Sequence, residues 1–387
     1  MKILFLTHEG FNTNIITTQV IKHCESLETN TRKFDIITFE LISKATYLSN
    51  KNYERYLLSN SQISLKLFFG FYPYLPFNIF INLYLLYKVF RKFKDFDVIH
   101  ARSDYTTYLC NLLKPFHKLP VIWDCRGDFT DELLLVSEKK SFIIELYTKY
   151  VLIPRQYLFI IFNNLFSNHI IYVSSALKRK IDHSYTKCSV IPCQVNHNDF
   201  YFDIDLRNDF RNKYQLKKDN IVFLYSGSMV DYQSIDLYLS FFYKLLSFPN
   251  YVIFIATNQI DAAKEKFSCF PRSKFIINSF ENNLMNSVLC GSDYGVLLRD
   301  NRSLNNVSSP TKFGEYCITG LRVIHNNTID QVCDITAKIS NGYGLLPPYS
   351  FCDIKTRTLI ATKARQVFSR QISNKKYSSI YNDLLFN

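Results

Sequence analysis

Short apolar runs, each about as long as a strand, alternate along the chain with stretches whose apolar positions recur at helical spacing. In the first half the runs fall at residues 2–7, 34–39, 97–101, 120–124 and 169–174. In the second half they fall at 221–226, 251–256, 274–278, 294–298 and 321–325. Their apolar character is nearly continuous rather than alternating, which predicts parallel strands covered on both faces. Parallel neighbours need crossover connections, and the intervening helical stretches supply them. Each series therefore predicts a doubly wound α/β sheet, and two series in 387 residues predict two Rossmann-like domains.

The seam is expected near Val190-Ile191-Pro192-Cys193-Gln194-Val195-Asn196, where a strand ends at a proline. A polar, aromatic loop follows through Phe202, then a helix over 209–214, placing the domains at 1–192 and 193–365. Ligands of open α/β sheets bind beyond the carboxyl ends of the strands, so two such domains facing across a cleft would hold a site between them. One segment departs from the pattern: residues 65–93 are very apolar and end in basic side chains. Pro73, Pro76, Asn78 and Asn82 interrupt it, and the apolar run 156–166 is about half the roughly 20 residues of a membrane span. Segment 65–93 reads either as an interfacial helix pair, with Lys88, Arg91, Lys92 and Lys94 reaching back to water, or as a buried helix of the first domain.

Composition adds limits. Hydrophobic residues make up 47%, enough for two cores. The high Tyr and Phe content partly reflects the residues that AT-rich codons favour. A formal charge of +13 calls for an anionic partner: nucleic acid, an acidic substrate or an anionic membrane surface. With no run of five basic residues and no zinc-finger spacing, nucleic acid is not expected. The apolar start ends at His8 and Glu9, too short for a signal-peptide core, so a cytoplasmic location, peripheral to the inner membrane face at most, is expected. The ten cysteines are then reduced, and the cluster His183, Cys188, Cys193 and His197 reads as core packing rather than a metal site.

Candidate chemistry lies after the predicted strands. In Ser308-Ser309-Pro310-Thr311-Lys312-Phe313-Gly314-Glu315-Tyr316, the proline suits the first turn of a helix whose N–H groups Ser308 or Ser309 would cap. Such an N-terminus also suits phosphate, with Lys312 adding charge and Glu315 reaching a ribose a turn later. Taken alone, the segment reads as a capped helix with a solvated Lys–Glu pair. Tyr225-Ser226-Gly227-Ser228-Met229 follows the first strand of the second domain, where glycine lets a ligand approach the backbone. In the first domain, Asp97-Val98-Ile99-His100-Ala101-Arg102-Ser103-Asp104 and Trp123-Asp124-Cys125-Arg126-Gly127-Asp128-Phe129-Thr130-Asp131-Glu132 bring histidine, arginine and carboxylates to neighbouring strand ends.

Taken in order, DVIHARSD, VIWDCRGDFTDE, VIPCQVNHNDF, LYSGSM and SSPTKFGEYCITGLRVI resemble the bacterial family-4 retaining glycosyltransferases of the GT-B fold, including those that assemble capsule and O-antigen. The resemblance spans residues 1 to about 326. It implies a nucleotide-sugar donor on the second domain, a glycan or lipid-linked acceptor on the first, and retention without a metal or other cofactor. It also implies a final helix, here 366–387, packing back on the first domain. Glu315 matches the second of the family's paired glutamates, whereas the first is replaced by Asn305-Asn306-Val307-Ser308. Gly227 matches the glycine beside the donor phosphates, and Ser228, Ser309 and Thr311 join it as donor candidates. His100 matches a strand-end histidine near the transferred sugar, and Asp124, Arg126 and Glu132 match a first-domain motif of some members; His100, Asp124 and Arg126 are the catalytic candidates, and Gly10, Arg102, Asp128 and Glu132 the acceptor candidates.

Many members place an arginine and then Lys-Gly after the glycine turn, but this chain reads Val230-Asp231-Tyr232-Gln233-Ser234, with no cation. Charge on a departing phosphate needs compensation, so Arg299 and Lys312 are the expected substitutes. The alternatives are an unusual donor, a sugar-nucleotide epimerase or hydrolase on the same fold, and a weakly active scaffold subunit.

Overall fold

The computed structural model describes residues 1–8, 16–40, 63–71, 75, 77–138, 140–183, 186–230 and 233–386. The chain divides into two compact units, Met1–Ile191 with Asn374–Asn387, and Pro192–Ser373.

Unit 1 is built on seven strands: β1 (Lys2–Thr7), β2 (Lys33–Glu40), β3 (Ser64–Phe69), β4 (Val98–Arg102), β5 (Val121–Cys125), β6 (His169–Tyr172) and β7 (Cys188–Val190). All pair in parallel, in the order β3-β2-β1-β4-β5-β6-β7. β1, β4, β5 and β6 are almost wholly buried, as continuous apolar runs require. The order reverses between β1 and β4, so the chain beyond Thr7 and Arg102 lies at the topological switch point.

β3 corrects the reading of segment 65–93. Leu65 and Leu67 are buried while Ser64, Lys66 and Phe68 are only partly so, the alternation of an edge strand. Only the later part is helical, α1 (Asn78–Lys92), which buries Leu86, Val89 and Phe90. Pro73 and Pro76 lie outside the described residues. The same layer holds α2 (Asp104–Leu112), the short α3 (Phe142–Tyr147) and α4 (Ile153–Phe166).

Unit 2 has β8 (Ile221–Ser226), β9 (Tyr251–Ala256), β10 (Phe275–Asn278), β11 (Tyr294–Leu297), β12 (Arg322–His325) and β13 (Gly342–Tyr343), parallel in the order β10-β9-β8-β11-β12-β13. Here the reversal falls between β8 and β11. The helix expected over 209–214 is longer, Ile204–Lys213, because the Asp203 carboxylate accepts from the N–H groups of Asp205 and Leu206 and starts it earlier. Its Arg207 and Arg211 reach Asp293 at 2.7 and 3.4 Å, and Asp293 also accepts from Val222 N–H at 2.9 Å, tying helix to sheet.

α5 (Thr311–Ile318) precedes β12, and α6 (Ile354–Phe368) and α7 (Arg370–Phe386) follow β13. The helical tail breaks at Ser369, whose extended backbone ends α6, and the chain enters unit 1 at Asn374 rather than at 366.

Candidate functional site

In unit 2 the switch point brings the end of β8 beside the end of β11, and α5 begins next to both. Gly227 follows β8 with φ +149, a conformation that side chains rarely adopt. A Cβ there would lie 1.9 Å from Lys312 Nζ, so the absence of a side chain is what lets the ammonium sit on this turn. Lys312 Nζ also lies 5.5 Å from the Tyr225 ring centre, and the Tyr225 hydroxyl donates to Ser228 O at 2.6 Å, closing the turn.

Neither serine caps α5. Ser309 Oγ accepts from Cys193 N–H at 2.9 Å, and Ser308 Oγ donates to Asn305 O at 2.8 Å. Pro310 takes the N-cap position and no side chain caps the helix, which leaves the first turn, with Thr311 partly buried on it, suited to an anion.

Arg299 is placed differently from expectation. It is 5% exposed, and its guanidinium donates to Gln233 Oε1 (2.6 Å), Leu298 O (2.7 Å), the Tyr238 hydroxyl (3.1 Å) and Gln233 O (3.3 Å). A guanidinium committed inward fixes the Gln233 turn rather than facing a phosphate. Gln233 Oε1 in turn receives Lys312 Nζ at 3.4 Å, so Arg299 acts on the site through Gln233 and through its charge. Burial first, then the Arg299 charge, pull the Lys312 ammonium down to about 7, against the opposing pull of Glu315. Burial pushes the Glu315 carboxyl up to about 7, with Lys312 holding it back. Two ionisable groups displaced in opposite directions one turn apart make this a candidate ligand site.

In unit 1 the structure brings His100, Asp124 and Arg126 together, but inside the fold. His100 lies mid-strand in β4, stacked on Phe5 with ring centres 4.5 Å apart, and its Nδ1 is 2.7 Å from the Tyr381 hydroxyl on α7. Its Nε2 is 3.5 Å from Asp124 Oδ2. Burial lowers its pKa, outweighing the Asp124 carboxylate, so the ring is neutral at pH 7. Asp124 is fully buried too; burial opposes its ionisation, but Arg126, His100 and Arg102 hold its carboxyl well below the usual range. Arg126 Nε donates to Asp124 at 2.7 Å, and its NH2 to the Tyr377 hydroxyl at 3.3 Å. The imidazole of His100 is thus enclosed and joins α7 to the sheet, and of the three only Arg126 keeps some exposure.

The acceptor candidates separate likewise. Arg102 is buried and donates to Gln19 Oε1 at 2.8 Å. Asp128 is buried, caps the helix Phe129–Ser137 and pairs with Lys180. Glu132 is exposed, and Gly10 lies outside the described residues.

Sequence reasoning missed the residues at the β1/β4 switch point. His8 Nδ1 lies 2.9 Å from both Ser103 Oγ and Thr106 Oγ1, and Ser103 holds φ +82 without being glycine. They adjoin a small, mostly apolar pocket lined by Leu6, His8, Asn82, Tyr105 and Thr106 among others. The position of His8 directly after the first strand was the signal that could have found them.

No family model matches the chain, and no curated protein matches it. Solved structures do. HepE of Anabaena, in complex with UDP and glucose, superposes with a TM-score of 0.69 over 99% of this chain and 100% of that one at 13% identity. A glycosyltransferase from Rickettsia africae gives 0.69 over 100% and 99% at 15% identity. Sucrose-phosphate synthase of Thermosynechococcus elongatus gives 0.67 over 99% of each chain at 10% identity. With the strand orders above, these likenesses define the fold as GT-B, with two Rossmann-like units.

Proposed function

We propose that the chain is a retaining glycosyltransferase that moves a sugar from a nucleotide-sugar donor to a hydroxyl of a glycan or lipid-linked acceptor in bacterial surface polysaccharide synthesis. The observation that carries this reading is Lys312 Nζ resting on the Gly227 turn beside the uncapped start of α5. A diphosphate there would accept the first-turn N–H groups and draw a proton onto Lys312, and Glu315 would receive the ribose hydroxyls. Thr311 and Ser228 border the same place. The structural neighbours support the ligand class, since HepE is bound to UDP-glucose in one structure.

For transfer, the Lys312 cation and the α5 N-terminus stabilise charge developing on the leaving phosphate. In retention the acceptor attacks on the face the nucleotide leaves, and the leaving phosphate takes the acceptor proton, so no carboxylate base is needed. His8, Ser103 and Thr106 offer acceptor-side hydrogen bonds in unit 1. No metal or cofactor is invoked. The burial of Arg299 leaves Lys312 as the cation on this turn, which gives a weakly active scaffold subunit a specific basis as second reading.

A thermal-shift and calorimetric screen against UDP, GDP, ADP, CMP and dTDP compounds tests donor binding. Product analysis with and without a glycan acceptor then separates transfer from hydrolysis, and the anomeric configuration of the product tests retention. Binding of none of these nucleotides would overturn the reading.

A further inference from the structure

Segment 142–166 of unit 1 turns an apolar side to solvent. It runs helically through α3, a π-type stretch at Thr148–Leu152, and α4. The side facing the protein mixes buried Leu152, Phe159 and Ile160 with amides: Gln156 donates to Asp104 Oδ2 at 2.5 Å, Asn163 to Asp104 O at 2.8 Å, and Asn164 to Ile181 O at 2.9 Å. The side facing solvent carries Phe142 (70% exposed), Ile143 (77%), Tyr150 (67%), Leu158 (62%) and Leu165 (66%). A surface helix of a globular protein ordinarily carries charged and polar residues there. Those five side chains alone expose roughly 600 Å² of mostly apolar surface, at the limit of the largest patch on an ordinary monomer.

The patch continues. Lys114 Nζ donates to Phe166 O at 2.6 Å, which places the Lys114–His117 turn against the end of α4. Phe116 on that turn is exposed and meets Tyr87 of α1, ring centres 5.4 Å apart. Beyond it lie the exposed Phe80 and Tyr84 of α1. The charges on this face are mainly positive. Segment 142–166 holds Glu145, Lys149 and Arg155 as its only charged residues, and exposed Lys140 precedes it. Lys88, Arg91 and Lys92 are exposed on α1, and Lys88 Nζ lies 4.5 Å from the Tyr84 ring centre. Long cationic stems laid over aromatic rings put charge at the level where lipid headgroups begin.

We infer that this face of unit 1, centred on α3 and α4, docks the protein on an anionic lipid bilayer, with the apolar side chains at the acyl boundary and the lysines and arginines among the headgroups. Charge complementarity selects this occupant: the face is apolar with a basic rim, and the chain carries +13 overall. The segment lies on the membrane rather than through it, since among the described residues no helix is long and apolar enough to cross one. The docking site differs from the interfacial helix pair expected at 65–93, of which only α1 takes part. It stands independently of the glycosyl-transfer reading.

The test is co-sedimentation of the full chain with phosphatidylcholine vesicles, with and without phosphatidylglycerol at roughly one lipid in three, a density at which each surface cation adds attraction. The variants are L158E/L165E, on exposed positions, and K149E. Wild type is expected to pellet with anionic vesicles at least tenfold better than with neutral ones, and L158E/L165E to lose this tenfold or more at an unchanged melting temperature. K149E should weaken binding only at low salt. Binding indifferent to lipid charge, or equal for wild type and L158E/L165E, would overturn the inference. So would lipid-free dimers that L158E/L165E disperses, with no vesicle binding by either form, which would assign the face to a second copy.

Discussion

Lys312→Met is the sharpest probe of the donor site, because the change removes the charge while keeping a stem of similar length. In the free protein burial, then the Arg299 charge, pull the Lys312 ammonium down to about 7. A bound diphosphate stabilises the ammonium, and binding above pH 7 must take up a proton. Each pH unit then costs about 1.4 kcal/mol, a factor of ten in affinity. Through Lys312, wild-type affinity for a nucleotide sugar should fall roughly tenfold between pH 7 and 8.5. A charge-assisted hydrogen bond contributes about 1.5–3 kcal/mol, so Lys312→Met should weaken binding by about 10–100-fold at pH 6. At pH 8.5 the variant and wild type should differ much less. Glu315 also titrates at about 7, but its ionisation would strengthen ribose binding as pH rises, the opposite sign; any slope left in the variant belongs to it. Calorimetry with UDP-glucose, whose own phosphates do not titrate in this range, reads all of this directly. Equal affinities for the two proteins at pH 6, or a wild-type affinity independent of pH, would refute the assignment of Lys312 to the phosphates.

Gly227→Ala should retain the fold and lose donor affinity at least tenfold, because the new methyl occupies the place of the ammonium and the φ of +149 strains it by about 1–3 kcal/mol; thermal shift with and without nucleotide checks both halves. Asp293→Ala leaves Arg207 and Arg211 without their buried counter-charge and should destabilise unit 2 by about 3–5 kcal/mol in denaturant unfolding. The depressed Asp124 pKa contributes stability that is present above the unfolded carboxyl value of 3.8 and lost as pH falls through the folded one. Asp124→Asn should therefore lower stability at pH 7 and flatten the acid limb below about pH 4, monitored by circular dichroism. Tyr381→Phe removes the hydroxyl facing His100 and should cost about 1–3 kcal/mol, with protease sensitivity rising first in α7.

The parts of the fold that were legible are those where burial on two faces erases alternation. The runs 2–7, 221–226 and 251–256 coincide with β1, β8 and β9 residue for residue. Two edge strands, β3 and β13, were not legible, for the complementary reason. β3 is covered on one face only, so Ser64, Lys66 and Phe68 alternate with Leu65 and Leu67 inside an otherwise apolar segment that length and composition make look helical. β13 is only Gly342 and Tyr343, too short for any period to show.

Site residues divide along a different line. Residue types name chemistry but not the direction a side chain takes, and in a doubly wound sheet successive strand positions point to opposite faces. His100, one position from Ala101 and two from the switch-point turn, faces Phe5 and α7, whereas Ser103, beyond the strand, faces His8. Arg299 follows the same logic: it leaves β11 towards Tyr238 and is absorbed by Gln233. Lys312 escapes that fate because α5 starts with proline and its serines are spent elsewhere, on Cys193 and Asn305, so nothing caps the helix before the lysine arrives. On the proposed reading, Lys312 stands in for the cation absent from 230–234, brought from a different element through a glycine whose missing side chain makes room for it. Burial disfavours the charged form of a cation so placed, so a ligand that stabilises its proton would be favoured.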